Sequence, residues 1–485
     1  MQTTSDTSQT VRFAKTPHLW ALSMGAVISS NFFGWQAALI GGFYGLLICF
    51  IPVTIMYSLL SLSIAEMATA LPDADGPYAY ALYGIGPKAA YFAGIAEALK
   101  VILTCTIFVV GIGSYISEAY DIDSKYDPLL WIMFYGFFLA LNASGVKLSF
   151  RFQVLVAVLS LGLLILFYCV VVISGFNFKS YVAGGVTKTW ELPEGIIGVL
   201  KSLSFTMWFF LGVEEMPLAV EEAINPTRDI PRALTATMVT LIGLALCTTI
   251  FSSTIYPGAY GIFQSSAPLL DGFETVFQLD KKQLRPISWI LLVGLISSFR
   301  SFLCMGWLLG AISRDCLLPT ATQYDNLHTN QKTEQNALVV GCAIGLIVAI
   351  ILYGLIGKKH LVPIMINLAL IGALISYIYQ LVSFIALRRK YSNNRQSYRS
   401  IFGVTGAILA IILCFSFLCA IVIFGIQDAD YIASVVFAAL YFIVSYVLYC
   451  KQFRVDNFGA DVMEQYQTCL VSYNENDLIN QLTVV

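Results

Sequence analysis

Residues Trp208-Phe209-Phe210-Leu211-Gly212-Val213-Glu214-Glu215-Met216-Pro217 decide how this chain folds. They close an apolar run of about 194–216. That run is long enough to cross a bilayer, whose hydrocarbon core of ~30 Å takes roughly 20 residues of helix. Yet a glycine, two carboxylates and a proline crowd into its last turns, and both glycine and proline interrupt helices. Backbone groups freed inside hydrocarbon must be satisfied by protein, so such a break belongs in a protein interior. A second interruption lies in the first apolar run, Gly25-Ala26-Val27-Ile28-Ser29-Ser30-Asn31-Phe32-Phe33-Gly34-Trp35. Ser29, Ser30 and Asn31 compete for backbone hydrogen bonds, and asparagine tolerates left-handed geometry. The breaks fall in the first and sixth spans, the opening members of two five-span units. Paired breaks of this kind point to a binding site near the middle of the bilayer. Freed N–H groups there suit a carboxylate, and freed C=O groups suit an ammonium. No repeat of sequence is visible between the two units; their symmetry is read from the breaks.

The rest of the chain places these breaks in lipid. Of 485 residues, 58% are hydrophobic and 12% charged, and the mean hydropathy is +0.78. Soluble domains run to about 45–50% apolar and about 25% charged. Twelve apolar runs follow, at about 17–44, 46–71, 87–117, 128–146, 152–174, 194–216, 232–255, 286–312, 336–356, 361–387, 401–426 and 431–450. They are continuous rather than alternating, which predicts an all-α polytopic membrane protein with twelve transmembrane helices and no barrel. The first run is too long for a signal peptide and leads into further spans. With both polar ends, 1–16 and 451–485, on the cytoplasmic side, sixteen Lys and Arg fall in inner segments, eight in outer ones and three within spans. That is the positive-inside pattern.

Several function classes fall away. A net charge of −2 gives no basic footprint for nucleic acid. Eleven cysteines are scattered without paired spacing and read as small apolar fillers. The three histidines, His18, His328 and His360, lie near segment ends, which argues against a zinc or haem centre. No catalytic set of an enzyme stands among the spans, and no phosphate-binding loop supports an ATP-driven pump. The expected partners are membrane lipid and a small zwitterionic or cationic substrate, bound by a monomer or homodimer without a cofactor.

Seven ionisable residues remain within spans: Glu66, Glu97, Lys100, Lys201, Glu214, Glu215 and Arg300. Such groups are costly in lipid and are candidates for function. Glu97 and Lys100, three residues apart, share a helix face and could neutralise each other. Glu66 and Lys201 lie near span ends, where each could reach the interface. Glu214 directly follows the second break and reads either as a proton-coupling acid or as a structural hydrogen bonder. The charge-rich stretch 217–232 suits a fixed inner loop carrying gate salt bridges. The outer loop 257–285 suits a short lid helix or a connector.

These motifs resemble the amino acid–polyamine–organocation superfamily over about residues 17–450. "LPDADGPYAYA" (71–81) is similar to its loop after the second span and "LNASGVKLSFRFQ" (141–153) to its junction of spans four and five. "VEEMPLAVEEAINPTRDIPRAL" (213–234) is similar to the end of its sixth span. Within the superfamily the chain is most similar to the ethanolamine permease branch, through "VISSNFFGWQAALIGG" (27–42), "LISSFRSF" (295–302), "ISRDCLLP" (312–319), "GALISYIYQLVSFIALRRK" (372–390) and "YRSIFGVTGA" (398–407).

The resemblance implies a LeuT-like five-plus-five inverted repeat, about 17–174 and 194–387, with extra helices at about 401–450. It places Ser29, Ser30, Asn31 and Phe32 on the unwound part of the first span, and Phe210, Leu211 and Gly212 on that of the sixth. Trp208 falls on an aromatic gate of the similar arginine–agmatine exchangers and Glu214 on their proton-sensing acid, with Glu97 and Lys100 as further coupling candidates. Arg300 and Ser301 fall near a contact on the eighth span. This chain has Ser30 and Asn31 where the ethanolamine branch has glycine and usually an acid. Lys100 stands in an acidic neighbourhood of that branch, and Arg300 replaces its histidine. Each change adds positive or removes negative charge, which suits an amino acid whose carboxylate meets Arg300 or Lys100. The fifth span carries no Lys or Arg between Phe152 and Ser174, where some proton-coupled relatives carry a lysine, so both H+ and Na+ stay open as coupling ion. The function implied is a secondary-active permease for amino acids or related small amines in the plasma or bacterial inner membrane. An ethanolamine permease and a sensor built on the same fold are the alternatives.

Overall fold

The computed structural model describes residues 14–71, 76–143, 146–174, 191–216, 223–314, 330–390, 398–425 and 429–452. Residues 72–75, 144–145, 217–222 and 315–319 of the motifs above lie outside the described residues, and so does the side chain of Arg300. The described residues are almost wholly helical, and their β content is an isolated bridge between Ala14 and Ala223.

Sixteen α-helices follow one another in the described residues: α1 (Thr16–Ile28), α2 (Gly42–Ala70), α3 (Pro77–Gly84), α4 (Pro87–Tyr120), α5 (Asp127–Ala143), α6 (Val146–Ser174), α7 (Gly195–Met207), α8 (Pro226–Ser253), α9 (Gly258–Gln264), α10 (Pro268–Phe277), α11 (Lys281–Ile296), α12 (Phe299–Arg314), α13 (Asn330–Ile356), α14 (Lys358–Lys390), α15 (Gly403–Gly425) and α16 (Ala429–Gln452). Among the described residues, nine helical segments are long and apolar enough to cross a membrane. Their lipid side is plain in residues such as Ile51, Leu129, Val239 and Leu355, each 65–69% exposed. So much exposed apolar surface has no place in water.

The first, fourth and sixth expected spans correspond to α1, α5 and α7, shorter helices of 13, 17 and 13 residues. For α1 and α7 the shortening has a cause, because each ends at one of the breaks read from the sequence. The first expected run, 17–44, is therefore not one helix. It passes from α1 through 3-10 turns, and α2 already begins at Gly42. A further break, not anticipated, separates α11 from α12 at Ser297 and Ser298, whose hydroxyls turn back to the carbonyls of Gly294 (2.6 Å) and Leu295 (2.7 Å). The outer loop holds two short helices, α9 and α10, rather than one.

α4 runs through the middle. Its most apolar stretch is buried throughout, and α14 packs along its length. α1 lies against α6 and α8, and α2 against α7 and α8. This arrangement brings both breaks onto α4.

Candidate functional site

The two breaks meet. After Ile28 the chain tightens into a 3-10 turn over Ser29–Asn31 and reverses at Gly34 (φ 95°). Ser30 donates its hydroxyl to the carbonyl of Val27 (2.7 Å), and Ser29 donates to that of Ala26 (3.5 Å). After Met207 the second interrupted segment turns through 208–212 and reverses at Gly212 (φ 105°). A positive φ suits glycine because it has no Cβ. The Trp208 indole donates to the carbonyl of Phe33 (2.8 Å), and the Phe209 carbonyl lies 3.4 Å from the Ser30 hydroxyl. Trp35 stacks on Phe209 with ring centroids 5.7 Å apart. Asn31 accepts from the Thr248 hydroxyl of α8 (2.9 Å), and Tyr115 of α4 donates to the Phe32 carbonyl (2.5 Å). Each break thus borrows side chains from its neighbours for its freed backbone groups.

Ser29, Ser30, Asn31, Phe32, Trp208, Phe210 and Leu211 are all buried, none above 4% exposed. Trp208 packs between Phe108, ring to ring at 5.4 Å, and the backbone of Gly34, where a Cβ would strike the indole. Phe210 lies against Phe50 and Tyr57 at 5.6 and 5.5 Å.

Beneath the second break sits a buried ion cluster. The Lys100 ammonium lies 2.5 Å from Glu97, 2.6 Å from Glu214 and 3.5 Å from Glu215. The i,i+3 pairing expected of Glu97 and Lys100 is present, but it is one arm of a larger knot. Glu214 also accepts from the Tyr377 hydroxyl of α14 (2.6 Å) and from the Gly212 N–H (3.1 Å), and Tyr57 reaches Tyr377 at 3.4 Å. Glu215 accepts from the Ser301 hydroxyl (3.0 Å) of α12. Every one of these residues is at most 2% exposed. Among the described residues, three carboxylates face one ammonium, and one oxygen of Glu97 and one of Glu215 have no hydrogen-bond donor.

Two expectations change here. Lys100 spends its charge on three protein carboxylates, so it does not stand ready for a substrate carboxylate. The Gly212 N–H is capped by Glu214, so it is not free for one either. Arg300, the other cation proposed for that task, has its side chain outside the described residues. Glu66, near the end of α2, is buried in protein, accepts from the Ser400 N–H (2.7 Å) and lies 3.5 Å from Arg388. Lys201 pairs with Glu194 at 2.9 Å at the start of α7. Of the charge-rich stretch, Asp229 ties the Thr16 hydroxyl (2.5 Å) and the Asn225 N–H (3.3 Å). Arg228 and Arg232 make no ion pair among the described residues, so the inner-gate salt bridges expected of them are not seen there.

Nothing in the sequence marks Tyr57 and Tyr377. A tyrosine in an apolar helix reads like any core aromatic, and its hydroxyl shows its purpose only against a carboxylate from another helix.

Interrupted helices enclosing buried charge, in a bundle whose outside is apolar, are the frame of an integral membrane transporter. The chain belongs to the amino acid permease family, whose family model matches residues 18–455. It is 24% identical over 456 residues to an uncharacterized transporter of Rhizobium meliloti (strain 1021), spanning 90% of this chain and 92% of that protein. It is 23% identical to a methylthioribose transporter of Bacillus subtilis (strain 168), spanning 94% of this chain and 98% of that protein. It is 25% identical to a gamma-aminobutyric acid permease of Escherichia coli (strain K12), across 53% of this chain and 57% of the relative. The protein is a transporter of amino acids or related compounds, not an enzyme.

Proposed function

We propose that this protein is a secondary-active permease that moves amino acids, or related small amines, by alternating access. In this reading twelve spans form two inverted five-helix units and two additional helices, in a plasma or bacterial inner membrane with both ends cytoplasmic. The breaks five spans apart support the inverted units, since each ends in a positive-φ glycine and they contact each other. Ser29, Ser30, Asn31, Phe32, Phe210, Leu211 and Gly212, with Ser301 and Arg300, form the substrate site. Trp208 is the gate.

The observation that carries the proposal is the buried cluster under the breaks. Among the described residues its carboxylates outnumber its ammonium three to one. An uncompensated charge in low dielectric calls for a cation, and here that cation is the substrate ammonium or a coupling proton. Glu214 is the centre of this role because it touches the break, Lys100 and Tyr377 together. The relative named for gamma-aminobutyric acid supports a zwitterionic amino acid as substrate. An ethanolamine-type amine is the second reading, favoured by the same surplus of carboxylates.

Counterflow into proteoliposomes separates these readings. Exchange of labelled amino acids is expected. Strong exchange of ethanolamine without competition by amino acids overturns the amino-acid reading, and binding without any flux leaves a sensor in its place.

A further inference from the structure

A cavity of about 840 Å³ opens beside α8, away from the breaks, at the end of the helix that the charge pattern puts on the cytoplasmic side. Its lining includes Thr227, Arg228, Arg232, Thr235, Val239 and Tyr398. The two arginines are four residues apart and so project from one helix face. Both are exposed, and neither makes an ion pair among the described residues. Their neighbour Asp229 turns the other way, buried at 7% exposed and held by Thr16 and Asn225. The same stripe continues through Thr235 and Ala236 to Val239, which is 66% exposed on the lipid side. The cavity therefore joins a cationic end, unpaired among the described residues, with hydroxyls to an apolar track running into the bilayer.

We propose that this cavity binds one anionic phospholipid of the inner leaflet. Arg228 and Arg232 take the headgroup phosphate, which guanidinium forks suit. The Thr235 and Tyr398 hydroxyls border the headgroup. The acyl chains follow Ala236 and Val239. A free phosphate would use the arginines but would leave the apolar track empty, and basic pockets at the cytoplasmic membrane face hold lipid headgroups in just this way. The position gives the lipid leverage, because the cavity lies where α8 is fastened to α1. Trp20 of α1 donates to Thr240 (3.1 Å), another residue of the lining, and Thr16 donates to Asp229. A bound lipid thus sits on the joint between α8 and the helix that carries the first break.

The test uses the full-length protein in nanodiscs or neutral detergent. Native mass spectrometry counts bound phosphatidylglycerol against phosphatidylcholine, and melting curves are taken with each lipid and with inorganic phosphate. The parent should hold one phosphatidylglycerol with a preference of roughly 30-fold, from two arginines near the surface. It should melt at a higher temperature with that lipid than with phosphatidylcholine, and inorganic phosphate at millimolar level should not reproduce the rise. Arg228→Gln/Arg232→Gln should lose the preference. Thr235→Trp puts a bulky ring between the arginines and the apolar track while keeping both charges, and should lose it too. Persistence of the preference in either variant overturns the proposal, and so does equal stabilisation by inorganic phosphate. Melting in phosphatidylcholine alone shows that each variant is folded.

Discussion

Replacing Lys100 by methionine removes an ammonium while nearly preserving the volume and the stem of the side chain, so little of the effect comes from packing. What remains is three buried carboxylates without their cation. Removing one member of a buried ion pair costs about 3–5 kcal/mol, because the partner stays behind uncompensated. Here the ammonium serves three partners, at 2.5, 2.6 and 3.5 Å, so the cost belongs at the upper end. About 5 kcal/mol lowers the ratio of folded to unfolded protein by more than three decades, out of a total stability of about 5–15 kcal/mol. The companion variant Lys100→Met/Glu97→Gln/Glu214→Gln removes two of the stranded charges and leaves Glu215 its hydrogen bond from Ser301. It should recover at least half of the loss. Denaturant unfolding in a single detergent, followed by size exclusion, measures both. The reasoning fails if Lys100→Met lies within about 1 kcal/mol of the parent, the range of an exposed pair. It also fails if the triple variant is less stable than the single one.

Other outcomes are open to direct measurement. Glu214→Gln keeps an acceptor for Gly212 and Tyr377, so folding should persist while the pH dependence of uptake flattens; an unchanged profile moves coupling elsewhere. Trp208→Ala should slow counterflow more than it lowers the yield of folded protein, whereas a parallel loss of both marks the ring as packing. Gly34→Ala should be destabilising, since it forces a side chain at φ 95° into the Trp208 indole, while Gly243→Ala, with open space around it in α8, should be neutral or stabilising by up to ~1 kcal/mol. In α10, burial lifts the Asp271 carboxyl to about 6, against the hydrogen bond from Ser265, with Glu118 and Glu274 adding to the rise. A raised folded-state value favours the protonated fold. The α10 segment should therefore be fully protected below about pH 4 and loosen as pH rises through about 6, by on the order of 2–3 kcal/mol. Hydrogen exchange across 268–277 should show this, and Asp271→Asn should abolish it.

The two breaks were legible because serine, asparagine, glycine and proline stand out against an apolar background. The same signal stands at Ser297-Ser298, and both pairs of serines turn back to carbonyls three residues earlier. Glu97 and Lys100 could be paired from their spacing alone. Glu214, Glu215, Ser301 and Tyr377 could not be added, because they arrive from other helices and no period of the sequence encodes that distance. The charges of 226–232 were visible, yet their division was not. Asp229 is turned inward by Thr16, a contact across 213 residues, and this leaves the two arginines without it.

The Glu97–Lys100 pair also bears on how the protein is made. Chains emerge from the N-terminus at about 5–20 residues per second, so Glu214, 114 residues after Lys100, follows it by about 6–23 s and Tyr377, 277 residues after it, by roughly 14–55 s. During that interval α4 must enter the bilayer with its lysine already in place, against a penalty of about 2.5–3.5 kcal/mol for a lone charge at mid-helix. The only carboxylate of the knot then in existence is Glu97, one turn away on the same helix. That local contact is the insertion partner of Lys100, and the later carboxylates take their share of the ammonium once the chain that carries them has arrived.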